Sequence, residues 1–455
     1  MGNGALSPFK KFTQGYTFKI LMLILLVLLL LIPLSMIKGL IYERNRTATE
    51  AEDGIMEAWG SQLAEAGPVI LVPGVKTSEL RTKTERDGEK IEIVKTPFTL
   101  FITPRQLNIK ANFKTEIRRR GIFSVPLFSG ALTLSGDFDP SAAIASLRPG
   151  EALSLNEAEL VIALSNQKGI RKIDNARWDG GGLFFQPGSR SMAIARNSYD
   201  RLNSGMFAAL PGFENKGTSF DITIAIQGGQ YVRFLPVGQD THVEIAADWA
   251  SPSFQGSFLP NESNISESGF DAVWDISYLS RDIPLFWKND TEIDFSTSLF
   301  GVNFFRTIDT YSLNTRAVKY AILFLIVPFL TLFLLEVFTR KRIHPVPYLL
   351  SGIANVIFYL LLLSLSEQMR FYLAYLTAAS AVTVLMTLYS RTMLPSWNKS
   401  WYMGLVVVLS YVLLYAVLNA ESYALLIGSI GAFVVVALVM FLTRKLDWYG
   451  NDDIG

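Results

Sequence analysis

Of the two histidines in the chain, only His242 falls where a folded soluble domain could use it. Glu244 stands two residues on, so on a strand the two side chains share a face, as a pair of metal ligands would. No third ligand stands at a matching spacing, and the pair reads as a solvated strand face. No metal or other cofactor is expected. A Ser–His–acid site would have to recruit His242, and no G-x-S-x-G elbow accompanies it. The chain has no cysteine, which removes disulfides, thiolate metal sites, iron–sulfur clusters and a thiol nucleophile together. Gly180, Gly181 and Gly182 lack the strand-then-helix setting of a phosphate-cradling loop. Carboxylates are plentiful from Glu262 to Asp294, enough to hide a glycosidase pair, but an acidic surface gives the same pattern. Arg118, Arg119 and Arg120, with Lys110 and Lys114, could touch anionic headgroups or an envelope polymer; a solvated strand end is the simpler reading.

Four further polar residues sit at the margins of apolar runs. Glu336 precedes Arg340 by four residues, the favourable order for an ion pair on a helix. His344 abuts Pro345, where helix capping or headgroup contact is the expected role. Glu367 closes another run. None of these stands at a bilayer midplane, where a coupled transporter usually keeps charge. Asn355 is the best candidate for a buried polar residue, and helix-to-helix hydrogen bonding accounts for it.

The element that positions these residues is the stretch Arg316–Glu367, two apolar runs of about 20 residues around a basic break at Arg340, Lys341, Arg342 and His344. It reads as a helical hairpin through a membrane, with its short basic loop on the cytoplasmic side. Residues 20–42 read as an uncleaved signal-anchor helix after a cytoplasmic start at 1–19, since no small-residue cleavage site follows. Five spans are expected within 316–445, at 317–338, 346–366, 371–390, 400–419 and 422–443, and a cytoplasmic tail at 446–455. Lys10, Lys11, Lys19, Arg391, Lys399, Arg444 and Lys445 then fall on the same side as the basic loop. That puts both termini in the cytoplasm and residues 43–315 outside it.

Residues 43–315 carry 27 Lys and Arg against 34 Asp and Glu, an acidic balance that argues against nucleic acid as a partner. The segment from Glu43 to Gly67 reads as a polar helical stalk ended by Pro68. Short alternating runs follow, such as Phe220, Ile222, Ile224 and Ile226, the period of strands with one buried face. The expectation is a mainly β, antiparallel, sandwich-like domain, either a single unit or two packed units with a break near Gly180–Gly182. Trp249–Trp274 is dense in turn residues and reads as a structured loop or corner. Its rings Trp249, Phe254, Phe258, Phe270 and Trp274 are expected to pack on the sheet, or else to form an interaction surface. The whole is a multi-domain membrane protein: a polytopic α-helical part with six spanning helices and a large extracytoplasmic β domain.

Several long strings resemble the CreD family of bacterial inner-membrane proteins. They are RAVKYAIL at Arg316–Leu323, HPVPYLLSG at His344–Gly352, FYLLLLSLSE at Phe358–Glu367 and FLTRKLDWY at Phe441–Tyr449. In the exported part, SPSFQGSFLP at Ser251–Pro260 and SESGFDAVW at Ser266–Trp274 carry it as well. The resemblance implies an inner-membrane protein tied to cell-envelope integrity and envelope stress, and it brings no assigned catalytic residue. The expectation is therefore a non-enzymatic scaffold or interaction protein, with membrane lipids and an envelope protein or cell-wall component as partners. The alternatives are a transporter or lipid handler whose exported domain presents cargo, and an exported hydrolase.

Overall fold

A computed structural model describes residues 16–84, 88–188, 190, 202, 204–291, 293–304, 310–339, 342–393, 397–420 and 423–444. Six helices among them are long and apolar enough to cross a membrane. They are α1 (Tyr16–Trp59), α2 (Thr310–Thr339), α3 (Pro345–Ser366), α4 (Phe371–Met393), α5 (Trp397–Asn419) and α6 (Ala424–Thr443). The chain divides into a helical unit, residues 1–48 with 308–455, and a β unit, residues 49–307.

The helix α1 carries the anchor on into the polar stalk, running unbroken for 44 residues to Trp59. The polar segment was expected to stay helical to Gly67, and it does not. The backbone turns at Gly60 and Ser61, whose N–H groups both donate to Met56 O, at 2.8 and 2.7 Å. Gly60 has φ of 149°, and a β-carbon there would meet Gln227 O. Pro68 lies inside the first strand, Leu63–Thr84, and ends nothing.

The helical unit packs around α2, α3, α4 and α5, with the buried face of α1 (Leu30, Leu34, Ile37 and Ile41) against them. Tyr348, Phe358 and Tyr359 on α3 and Leu414 on α5 are almost wholly buried. By contrast α6 is peripheral: Gly431 is its one buried residue among those described, set against Leu413.

The β unit has two sheets. One runs in the order Pro252–Gly256, Phe300–Phe304, Tyr231–Leu235, Leu63–Thr84, Glu159–Leu164, Ser204–Ala209 and Gln186–Pro187, with Gly88–Ile102 forming a long hairpin on the central strand. The other runs Glu262–Ser266, Gly269–Ser277, Asp240–Ala247, Gln106–Arg120, Phe123–Phe138, Thr218–Gly229, Ile170–Trp178 and Gly181–Gly182. Pairing is antiparallel except for Leu63–Ala66 beside Val232–Leu235 and Gln106–Phe113 beside Asp240–Ala247. Period-two alternation sends Phe220, Ile222, Ile224 and Ile226 inward as the sequence indicated.

One continuous hydrophobic core joins both sheets, so the β unit is single. The three glycines mark no break between units. Gly181 and Gly182 fold back on Trp178 and Arg177 as a tight edge turn. The last residues of α1 belong to this unit: Met56 packs with Val125 and Leu127, and the Arg118 guanidinium lies 3.7 Å from the Trp59 ring centroid.

Candidate functional site

Polar side chains gather in the helical unit at three levels, and each level joins helices far apart in sequence. At the first, Lys19 near the start of α1 donates to Glu336 Oε1 and, at 3.0 Å, to Ile343 O. Tyr348, in the first turn of α3, donates its hydroxyl to Glu336 Oε2 at 2.9 Å. Glu336 is only 7% exposed, so both its oxygens must be answered from within the protein, and they are.

At the opposite end of the same helices the arrangement recurs. Arg44 on α1 reaches Glu367, just past α3, through Nε and Nη2 at 2.8 Å each, the planar two-bond pairing that suits a guanidinium and a carboxylate. Tyr311, in the first turn of α2, donates to Glu367 Oε1 at 3.0 Å. Each clamp thus takes a cation from α1 and a glutamate and a tyrosine from the α2–α3 hairpin. The glutamate and tyrosine exchange helices because the hairpin is antiparallel. The 25 residues from Lys19 to Arg44 rise about 37 Å, close to the thickness of a bilayer with part of its headgroup layers.

The third level lies between the clamps. Pro328 in α2 has no N–H, so the carbonyl of Phe324, four residues earlier, loses its helical donor. Asn355 on α3 replaces it, donating Nδ2 to Phe324 O at 2.8 Å. Its Oδ1 accepts from the Tyr411 hydroxyl on α5 at 3.1 Å, and Tyr375 on α4 donates to Tyr411 O at 2.7 Å. Phe358 centres the surrounding rings, 4.4 Å from Tyr411 and 5.5 Å from Tyr375. This network holds four helices together by satisfying a broken backbone, the usual requirement for proline inside a membrane.

Glu336 and Glu367, singled out in the sequence, are therefore both placed in clamps. The partners that sequence reasoning missed are Lys19 and Arg44, which lie in helix α1. The i,i+4 partner expected for Glu336, Arg340, lies outside the described residues, as does Lys341. His344 caps α3, its Nδ1 accepting the Val346 N–H at 3.4 Å.

In the β unit, Trp249–Trp274 proves to be mostly strand rather than a loop or corner. Pro252–Gly256, Glu262–Ser266 and Gly269–Ser277 all lie in the sheets. The pattern of Phe270, Ala272, Trp274 and Ile276 was there to be read; the neighbouring Ser, Asn and Gly obscured it. Phe270 and Trp274 are buried, while Trp249, Phe254 and Phe258 are half-buried against the same core. Phe254 meets the Phe270 and Trp274 rings edge-on at 5.8 and 5.7 Å, and Trp274 Nε1 donates to Phe258 O at 3.2 Å.

His242 lies between two carboxylates, Nδ1 at 2.7 Å from Asp275 and Nε2 at 3.0 Å from Glu244, which Lys110 also approaches at 3.0 Å. The hydrogen bond to Asp275, helped by Glu244, raises the imidazole pKa. Hydrogen bonding to His242 and then Lys110 lowers that of Glu244. Asp275, on the adjacent strand, is the partner the sequence did not reveal. Among the described residues no group of three or more His, Cys, Asp or Glu could hold a metal ion.

Two buried charges went unread. Glu65 is wholly buried with neither oxygen hydrogen-bonded, and burial pushes its carboxyl well above the usual range. An acid inside the run LAEAGPVILV was the signal for it. Arg281 donates to the carbonyls of Ile283, Val237 and Gly238, and burial lowers its pKa to about 10.

Comparison with known proteins bears on this arrangement. The family described as inner membrane protein CreD matches residues 15–449. Inner membrane protein CreD of Escherichia coli (strain K12) is 30% identical over 426 residues, covering 93% of this chain and 91% of that one. Among solved structures, an M1 zinc metallopeptidase of Deinococcus radiodurans bound to a Tyr-Ser-Ala substrate aligns at a TM-score of 0.24 and 12% identity, over 44% of this chain and 42% of its own. A putative nutrient binding protein of Legionella pneumophila aligns at 0.24 and 7%, over 48% and 73%. Neither likeness bears on fold or function at such scores. The match over nearly the whole length, together with six helices suited to crossing a bilayer, shows that the chain belongs to the CreD family and is a multi-pass inner membrane protein.

Proposed function

We propose that this protein supports cell-envelope integrity as a non-enzymatic scaffold, with both termini cytoplasmic and residues 43–315 periplasmic. The observation that carries the reading is the pair of clamps. The two glutamates at the ends of the α2–α3 hairpin are committed to fixing α1 against it, and neither stands at the midplane, where a coupled transporter usually keeps charge. The sidedness draws on Lys19 near the start of α1, Arg342 between α2 and α3, Arg391 in the last turn of α4 and Arg444 just past α6, which fall on one side when successive helices cross in alternate directions. On this reading the β unit meets an envelope protein or cell-wall partner, and lipids surround the helices.

Complementation tests it. In a strain lacking the protein, sensitivity to detergent and to cell-wall antibiotics is scored after supplying variants. His242→Gln and Asp275→Asn, each well expressed, should protect like the parent chain, and Arg44→Gln should protect poorly. Full loss of protection in the well-expressed His242→Gln or Asp275→Asn variant would favour a hydrolase and overturn the scaffold reading. Sidedness is read separately: a cysteine at exposed Leu259 should react with an impermeant thiol reagent before the inner membrane is opened, and one at Thr392 only afterwards.

A further inference from the structure

The helices α1 and α3 touch, part and meet again. They touch where Leu30 and Phe329 leave no room for a β-carbon on Gly352. They meet again at the Arg44–Glu367 pair. Between these contacts lies a groove of about 850 Å³, lined by Pro33, Met36, Gly39 and Leu40 from one helix and Ile357 and Leu360 from the other. Beyond its chain neighbours and the nearby backbone of its own helix, no atom lies within 4 Å of where a β-carbon on Gly39 would stand, so α1 offers bare backbone to the gap. Glu43, at the end nearest the Arg44 clamp, is the one polar residue of the lining.

We propose that this groove binds one acyl chain of an amine-bearing phospholipid, whose headgroup ammonium pairs with Glu43. Met36 is 70% exposed, and Leu40, Ile357 and Leu360 are exposed beside it. In a multi-pass protein that face looks onto hydrocarbon, so the groove fills from the bilayer. Its volume lies in the range of small-ligand sites. Contacts shut it at both ends within about 20 Å, the rise of 14 residues. A docking helix needs an uninterrupted face and an 8–10 Å axis separation along its length, whereas a single chain needs only a slot. Charge selects the headgroup. The Glu43 carboxylate stands at the level of the Arg44 clamp, where a bilayer places its headgroups, and there it attracts an ammonium and repels a purely anionic head. The site rests on the groove alone and would survive failure of the scaffold reading.

The test uses full-length protein in mild detergent, with phosphatidylethanolamine or phosphatidylglycerol added and bound lipid counted by native mass spectrometry. One phosphatidylethanolamine should remain bound, at least tenfold more tightly than phosphatidylglycerol. Gly39→Phe and Ile357→Trp, which fill the slot from opposite walls, should each abolish that adduct while leaving the lipid-free melting temperature unchanged. Glu43→Gln should keep a lipid but lose the preference. An adduct that survives both filling variants, or equal retention of the two lipids by the parent chain, would overturn the proposal. So would a photo-crosslinker at Met36 that captures protein instead of lipid.

Discussion

Replacing Asn355 with Leu keeps the side-chain volume and removes both ends of a bridge. It would strand the Phe324 carbonyl, which Pro328 has already deprived of a donor, and the Tyr411 hydroxyl. Hydrogen bonds between membrane helices average about 0.6 kcal/mol and reach about 1.7, so two of them predict a loss of roughly 1–3 kcal/mol. The sharper expectation concerns the partner. Pro328→Ala returns an N–H to α2, and that group can serve Phe324 O directly. In its presence Asn355→Leu should therefore cost less by about the worth of one bond. Reversible unfolding in mixed micelles, followed by circular dichroism on all four proteins, measures this coupling. Additive effects, within about 0.3–0.5 kcal/mol, would refute the reasoning that Asn355 serves the gap left by the proline.

The remaining expectations concern the clamps and the β unit. Arg44→Gln should lower stability by about 1.5–3 kcal/mol, the scale of hydrogen bonds to a charged group, and Arg44→Glu with Glu367→Arg should recover most of the loss in the same assay. Trp274→Ala should cost about 3–5 kcal/mol in full-length protein and half-buried Phe254→Ala less, read as melting temperatures of the β unit. His242, its pKa raised by Asp275, contributes stability that is fully present below the unfolded imidazole value of about 6.5 and is lost as pH rises through the folded value. The stability gap between the parent chain and His242→Gln should accordingly be widest on the acid side of neutrality and close in mild alkali; a gap that widens with pH would contradict the ion pair.

How much of this could be read beforehand depends on distance along the chain. The spans were legible because 20 apolar residues in a row have few other uses, and the bilayer fixes their length. Strands such as Thr218–Gly229 were legible because each side chain reports its own face. Partners were not. For Glu336 a local rule offered only Arg340, four residues away and outside the described residues, whereas Lys19 comes from the far end of the chain. Asn355 was recognisable as buried and bonded, yet its acceptor follows only when Pro328 is counted back four residues to Phe324. The polar half of α1 was legible as helix, but its end was not, because that end depends on Gly60 lying against Gln227, a tertiary contact.

The separation between the clamp partners also sets a timetable. Lys19 and Glu336 lie 317 residues apart, and Arg44 and Glu367 lie 323 apart. At about 5–20 residues per second of synthesis, α1 waits some 15–60 s for the carboxylates that will hold it. Every residue of the β core, from Leu63 to Phe304, is translated during that wait. Until then Lys19 and Arg44 have water and headgroups for company, which their length allows them to reach. A helix made early is thus among the last to be secured, and a ribosome that stalled between residues 304 and 336 would leave a chain with a complete β core and an unfastened α1.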